Sequence, residues 1–329
     1  MTGGTVTGGT VTGGNWRSRR EISPDVLESR WTAPDGHAIR RIDWPAPGAA
    51  PRGSILFMPG RGDAYEKYLE TLDEWHGQGW GVTAFDWRGQ GGSGRFGIDG
   101  VTGHITDFGL WVDDLAATWR QWRENTPGPY VLAGHSMGGH LVLRAMAQGK
   151  VDPDAAVLIA PILGLLPQWL PSSLAQLAAR VMIRLGDPRR PAWKWSEKPG
   201  ALPDERWRLL THDQGRYSDE EWWREVRPQI AMGPGSWGWV ESALASIRLL
   251  ERPGILEAVD RPVLILATRG DALVSFRAID KAAKRLPRAR LVTWGSEARH
   301  EILREEDGVR GEALAAIGAF LDEAAPRQK

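Results

Sequence analysis

The chain has 329 residues, of which 41 are basic and 41 acidic, so its formal net charge is zero. That balance leaves no nucleic-acid footprint, and any steering of a charged substrate has to be local. There is no cysteine, which excludes disulfides and thiolate chemistry and permits a reducing compartment such as the cytoplasm.

The first 15 residues repeat Thr-Gly-Gly from Thr2, Thr7 and Thr12 with Val6 and Val11 between. Such a segment has too little apolar surface to order itself. Residues 1–20 therefore read as a disordered leader or the product of a mis-set start codon, and no basic-then-apolar secretory signal is present. From Glu28 the chain alternates as a strand, and Asp35-Gly36 separates 29–32 from 37–44 as a hairpin. Residues 54–58 (SILFM) are a continuously apolar strand, the pattern of a parallel strand covered on both faces. A helix over 69–77, a strand over 81–86, the glycine-rich loop 87–94 and a helix over 108–124 follow. That helix carries Leu110, Trp111, Leu115, Thr118, Trp119 and Trp122 on one stripe.

Residues 130–148 (YVLAGHSMGGHLVLRAMAQ) read as strand, tight turn and helix. The turn holds Gly134-His135-Ser136-Met137-Gly138, the G-x-S-x-G pattern that lifts a serine hydroxyl clear of a sheet. Residues 155–160 form another strand. The apolar run 155–166 contains Pro161 and stops at Pro167, well short of the roughly 20 residues of a membrane span. Residues 161–253 lack a convincing strand, and their clearest helix has Leu174, Leu177, Ala178, Val181, Met182 and Leu185 at helical spacing. Alternation resumes with a strand over 262–268, a helix around 275–286, a strand over 289–294 and a last helix carrying Leu314, Ile317, Phe320 and Leu321. This order predicts an α/β fold, a mostly parallel sheet flanked by helices, with core segments 21–160 and 254–329 and a helical cap over 161–253.

A serine hydroxyl needs a base and a group that orients the base. His37, His76, His104 and His212 lie in other regions, while His135 and His140 flank Ser136 on the wrong sides. His300 sits in a loop directly after a late strand, where reacting groups gather in parallel sheets. Asp260 precedes its strand, whereas Asp271 lies just past the end of one. The order Ser136, Asp271, His300 is that of nucleophile, acid and base in this architecture.

Five blocks, PGRGDAYEKY from Pro59, FDWRGQGGSG from Phe85, GHSMGGH from Gly134, TRGDALV from Thr268 and ARHEILRE from Ala298, appear in this order. With them the chain resembles α/β-hydrolases of the bacterial lysophospholipase and monoacylglycerol lipase family from about Glu28 onward. The resemblance implies Ser136 as nucleophile, His300 as general base, Asp271 as its partner, and an oxyanion hole from the backbone N–H groups of Arg61 and Met137. The family often has His-Gly before the oxyanion residue, and Pro59-Gly60 stands here instead.

The expected function is fatty-acid release from a lysophospholipid through an acyl-enzyme, with no metal and no cofactor. The alternatives are a monoacylglycerol lipase, another small-ester or amide hydrolase including a peptidase, and a non-catalytic receptor on the same fold. Trp193, Trp195, Trp222, Trp223 and Trp237 are candidates for lining an acyl slot, against the competing reading that cap tryptophans fill the insert's own core. The Arg61 side chain is expected to pair with Asp63 or Glu66 rather than a lipid phosphate, and Glu301 and the Asp86/Arg88 pair to be structural. The expected partners are a small single-chain lipid and, transiently, a membrane surface touched by the cap, with a cytoplasmic location at the inner membrane surface. Nucleic acid is not an expected partner, and the sequence does not address the oligomeric state.

Overall fold

A computed structural model describes residues 19–48, 50–166, 171–194 and 205–327. The Thr-Gly-Gly repeat and Trp195 lie outside them. The first hairpin is β1 (Leu27–Thr32) and β2 (Ala38–Trp44), turned at Asp35-Gly36 with Gly36 at φ 87°. It is followed by β3 (Gly53–Met58), α1 (Leu69–Gly77), β4 (Trp80–Phe85) and α2 (Phe108–Asn125). The central pair is β5 (Tyr130–His135) and α3 (Met137–Ala147), with β6 (Ala155–Ile159) after it. Between β6 and the next strand come α4 (Ser172–Arg184), α5 (Trp207–Leu210), α6 (Gln214–Val226) and α7 (Trp237–Glu251). The chain ends with β7 (Val263–Thr268), α8 (Phe276–Ala283), β8 (Ala289–Trp294) and α9 (Asp307–Ala324).

Among the described residues, eight strands form one sheet in the order β1-β2-β4-β3-β5-β6-β7-β8. β3 to β8 run parallel, and β2 alone runs against them, pairing antiparallel with β1 on one side and β4 on the other. Parallel strands need covering on both faces, which is why β3, β4, β5, β6 and β7 are apolar nearly throughout. One face buries α2, α3 and α8, and the other buries α1 and α9. The tryptophan stripe of α2 packs as its spacing requires, except that Leu110 at its edge is exposed.

Among the described residues, the segment between β6 and β7 contains helices, and α6 and α7 join the apolar clusters of the sheet. α7 buries Trp239, Ala243, Ile247 and Leu250 in the same apolar cluster as α2 and α3. On α4 the apolar stripe forms as a helix and faces outward: Leu174, Leu177, Val181 and Leu185 are 55, 58, 44 and 73% exposed. The buried face of α4 carries Gln176 and Ala179 instead, with Gln176 bonded to Glu241 and Arg248 of α7 at 2.9 and 2.6 Å. The leader boundary expected at residue 20 also shifts, because Arg19 and Arg20 bind Asp219 of α6 at 2.5 and 2.6 Å.

Trp122 is fully buried between Trp119 and Tyr130 and donates to Thr83 Oγ1 at 3.0 Å. Trp122→Ala removes that packing and is expected to lower the unfolding free energy by about 3–5 kcal/mol. A fall in the urea midpoint at unchanged m-value would record it.

Candidate active site

The parallel register brings the ends of β3, β5, β7 and β8 to one edge of the sheet, with Met58 opposite Gly134 and Thr268 opposite Trp294. Ser136, Asp271 and His300 follow three of these ends and converge although they are far apart in sequence. Ser136 has φ 51° and ψ −112°, the strained turn that projects its side chain from the strand-helix junction. The junction closes because Gly134 and Gly138 have no side chains. A Cβ on Gly138 would lie 2.1 Å from the Met58 carbonyl oxygen, and one on Gly134 would lie 2.7 Å from the backbone of Gly138.

His300 Nε2 lies 2.9 Å from Ser136 Oγ, and its Nδ1 lies 2.7 Å from Asp271 Oδ2. The other Asp271 oxygen accepts from the N–H groups of Leu273 and Val274 at 2.8 and 2.9 Å, which fixes the carboxylate's orientation. Burial opposes charge on His300, but the Asp271 carboxylate, its hydrogen bond, and the more distant Glu301 and Asp63 together hold the imidazole above its ordinary value. Asp271 is held below the usual carboxylate range: burial raises it, and His300 with the two backbone donors outweighs that. The arrangement can take a proton from a hydroxyl at Ser136 and carry the resulting positive charge.

The two backbone donors that the family resemblance implies belong to Met137, next to Ser136 in the chain, and to Arg61, which lines the same cavity. Met137 is the first residue of α3, so no carbonyl one turn earlier in the helix pairs with its N–H. Arg61 lies in the loop after β3, whose neighbouring N–H groups are committed: Gly60 donates to Asp63 at 2.9 Å and Gly62 to Gln90 at 2.8 Å. Pro59 replaces the family's histidine, and its carbonyl accepts from Trp87 Nε1 at 2.8 Å, which braces the loop.

Ser136 and His300 open on a cavity of about 790 Å³. Its lining includes the apolar Leu165, Leu166, Ala175, Ala178, Val240, Leu244, Ile247 and Leu273 and the charged Arg61, Asp63, Lys67, Arg206, Glu251, Arg277, Lys281 and Glu301. Of the expected tryptophans, Trp193 and Trp237 line this cavity, joined by Trp239. Trp222 and Trp223 do not line it: Trp223 is buried with its indole N–H on the Arg19 carbonyl at 3.0 Å, and Trp222 lies under Arg20. The apolar spacing at these positions fits either role, and only the orientation of α6 separates them.

The charged cluster in the cavity lining was not legible in the sequence. Lys67 Nζ lies 2.6 Å from Asp63, 2.5 Å from Glu301 and 3.2 Å from Glu220, with its side chain largely shielded. Burial alone would lower the lysine's value, but these three carboxylates outweigh it and raise it. Tyr68 donates to Asp63 at 2.9 Å and lies 2.7 Å from His135 Nδ1, so His135 packs beneath His300 instead of facing Ser136. The expected pairing of Arg61 with Asp63 or Glu66 is not formed. Those carboxylates are held by Lys67 and by Arg40 and Arg227, and Arg61 instead donates to the Gly233 carbonyl. Glu301 ties Lys67 to Arg304. Arg88 binds Asp114 and Asp35, and Asp86 binds Arg40, so both brace loops. No group of three or more histidine, aspartate or glutamate side chains with metal-holding geometry occurs among the described residues.

Because a base that binds its proton more tightly when folded stabilises the protonated form, the His300–Asp271 pair contributes stability below the unfolded value of about 6.5. That contribution disappears as pH rises through the higher folded value. A ¹H–¹⁵N titration of the His300 ring is expected to show protonation above pH ~6.5 in the wild type. In Asp271→Asn it should shift downward, since burial then acts without the opposing carboxylate.

The chain has relatives among known proteins. Residues 49–307 match the family model described as serine aminopeptidase, S33. Lysophospholipase L2 of Escherichia coli K12 is 33% identical over 292 residues, covering 82% of this chain and 80% of that protein. Probable lysophospholipase L2 of Haemophilus influenzae is 28% identical over 84% of this chain and 86% of that protein. Among solved structures, a soluble variant of monoglyceride lipase from Saccharomyces cerevisiae, in complex with a substrate analogue, superposes with TM-score 0.72 at 19% identity. It covers 94% of this chain and 99% of that one. The Paleococcus ferrophilus monoacylglycerol lipase gives 0.67 at 19% identity, over 86% and 98%. These structural likenesses carry the fold. The chain therefore belongs to the serine aminopeptidase S33 family, on the α/β-hydrolase fold.

Proposed function

We propose that the chain releases a fatty acid from a lysophospholipid through a serine acyl-enzyme, with monoacylglycerol as the second substrate class. The observation that carries this is the hydrogen-bonded sequence Ser136, His300, Asp271 opening on a cavity lined by both apolar and charged side chains. His300 Nε2 takes the Ser136 proton as Oγ attacks the ester carbonyl. The backbone N–H groups of Arg61 and Met137 receive the oxyanion, a contribution typically worth 10²- to 10³-fold per donor. As the C–O bond breaks, the His300 proton passes to the leaving glycerol oxygen. Water then attacks the acyl-enzyme with His300 again as base, and the carboxylic acid leaves.

A phosphate-bearing leaving group suits the basic side chains Arg61, Arg277 and Lys281 that line the cavity. The names of the sequence relatives favour the same choice. A peptidase that recognises a free α-amine would want a carboxylate beside the serine, but Asp63 and Glu301 are both held by Lys67. In this reading residues 161–253 are the cap over a core of 21–160 and 254–329, and α7 belongs to both.

The cap also meets membrane. No described helix is long and apolar enough to cross a bilayer. α4, however, exposes Leu174, Leu177, Val181 and Leu185 beside Arg180 and Arg184, while Ala175 and Ala178 of the same helix line the cavity. An apolar stripe with basic flanks fits an anionic lipid surface, on the cytoplasmic side in this reading.

Fatty-acid release should be highest from lysophosphatidylcholine in a panel with monoacylglycerol and a short p-nitrophenyl ester. Ser136→Ala should lower kcat by on the order of 10⁴-fold or more, and Asp271→Asn by about 10⁴-fold. Turnover of the short ester alone would sink the lipid assignment, and full activity in Ser136→Ala would sink the mechanism. In flotation with phosphatidylglycerol vesicles, replacing the four α4 apolar residues by serine should abolish vesicle binding and leave short-ester turnover intact. Unchanged flotation would remove α4 from the membrane contact.

A further inference from the structure

Arg61 is built into two parts of the molecule at once. Its main chain belongs to the loop after β3, anchored by Trp87 on the Pro59 carbonyl, Asp63 on the Gly60 N–H and Gln90 on the Gly62 N–H. Its side chain leaves that loop and ends in the helical insertion. The guanidinium carbon lies 5.3 Å from the Trp193 ring centre and 5.2 Å from that of Trp239, two indoles that meet edge to face at 6.3 Å. One Nη donates to the Gly233 carbonyl at 2.6 Å.

The place it reaches is where both arms of the insertion cross. Ala192 donates to Gly235 at 2.8 Å, Gly103 to Pro234 at 2.9 Å, and Ser236 back to Gly103 at 2.9 Å. The crossing is too close to admit a side chain at 235, where a Cβ would lie 2.7 Å from the Trp193 ring and 3.1 Å from that of Trp239. Trp193 precedes α5, and Trp239 lies in the first turn of α7, so one cation holds an aromatic from each arm. A guanidinium suits this because its delocalised cation can sit near both indoles while its fixed fork of N–H donors still reaches a carbonyl, a geometry a point-charge ammonium lacks.

We propose that the Arg61 side chain is a positioning residue that couples the seating of the helical insertion to the donor geometry of the loop at 59–62. The inference rests on the reading of the Arg61 N–H as an oxyanion donor. Loosening the guanidinium frees one peptide plane between two fixed neighbours, and that plane carries the donor. The loss is therefore felt in kcat even for a substrate too short to fill the apolar cavity.

The test is steady-state hydrolysis of p-nitrophenyl acetate by wild type, Ser136→Ala, Arg61→Ala, Arg61→Lys, Trp239→Ala and the Arg61→Ala/Trp239→Ala double variant. Arg61→Ala is expected to lower kcat by about 10- to 100-fold, below the full loss of a donor, with KM changed less than about twofold. Arg61→Lys should fall between, and the double variant should be no slower than Arg61→Ala, because both substitutions break one contact. A purely structural brace would move the thermal midpoint and leave kcat in place. The inference is overturned by wild-type kcat in Arg61→Ala or by losses that multiply in the double variant. Should Arg61→Ala fail to fold, wild-type kcat in Arg61→Lys overturns it. Retained turnover in Ser136→Ala would instead remove the underlying reading of the site, and the inference with it.

Discussion

The left-handed backbone at Ser136 is the constraint from which the site's geometry follows. A non-glycine residue there costs on the order of 1–3 kcal/mol, and such strain persists only where the surroundings over-determine it. Here the Ser136 N–H donates to Ile159 at 2.8 Å, and its carbonyl accepts from His140 and Ile162 at 3.1 Å each. Gly134 and Gly138 let strand and helix approach to a distance that no side chain would allow. The parallel register then carries the loops after β7 and β8 to the same edge, so Asp271 and His300 need only short loops to reach the serine.

Around that turn lies an unusual density of buried charge. Lys67 joins Asp63 after β3, Glu220 in α6 and Glu301 after β8, and Arg304 adds bonds to Glu220 and Glu301. Compared with apolar residues of the same volume, such networks add little net stability, whereas removing one member strands the others without water. Their consequence is placement. Three stretches of chain far apart in sequence are locked against one another beside the cavity, so the charged side chains in its lining are preorganised.

The helical insertion inverts the usual rule for amphipathic helices. α4 buries a glutamine through bonds to Glu241 and Arg248, and turns its leucines outward. A helix packed only for stability would do the reverse. α7 follows the ordinary rule, burying Trp239, Ala243 and Ile247 on the core. The insertion thus has an anchored inner helix and an outward apolar one, with Arg61 reaching up from the core to the crossing of its arms.

What the sequence determined by itself were the features written in local pattern. Apolar runs of four to six residues marked β3, β5, β6 and β7, and glycine spacing marked the turn at Ser136. The place of Asp271 and His300 after strands was enough to bring them into one short list. Chain order carries this information because each element's type depends on its own residues and a parallel sheet collects strand ends. Tertiary structure alone decided the rest. The direction of α4, the separation of Trp193 and Trp237 from Trp222 and Trp223, and the partners of Lys67 and Arg61 depend on side chains 100 or more residues apart in many cases. A periodic stripe says that a helix has two faces, but not which neighbour either face meets. A charged residue likewise does not name its partner until folding removes water from both.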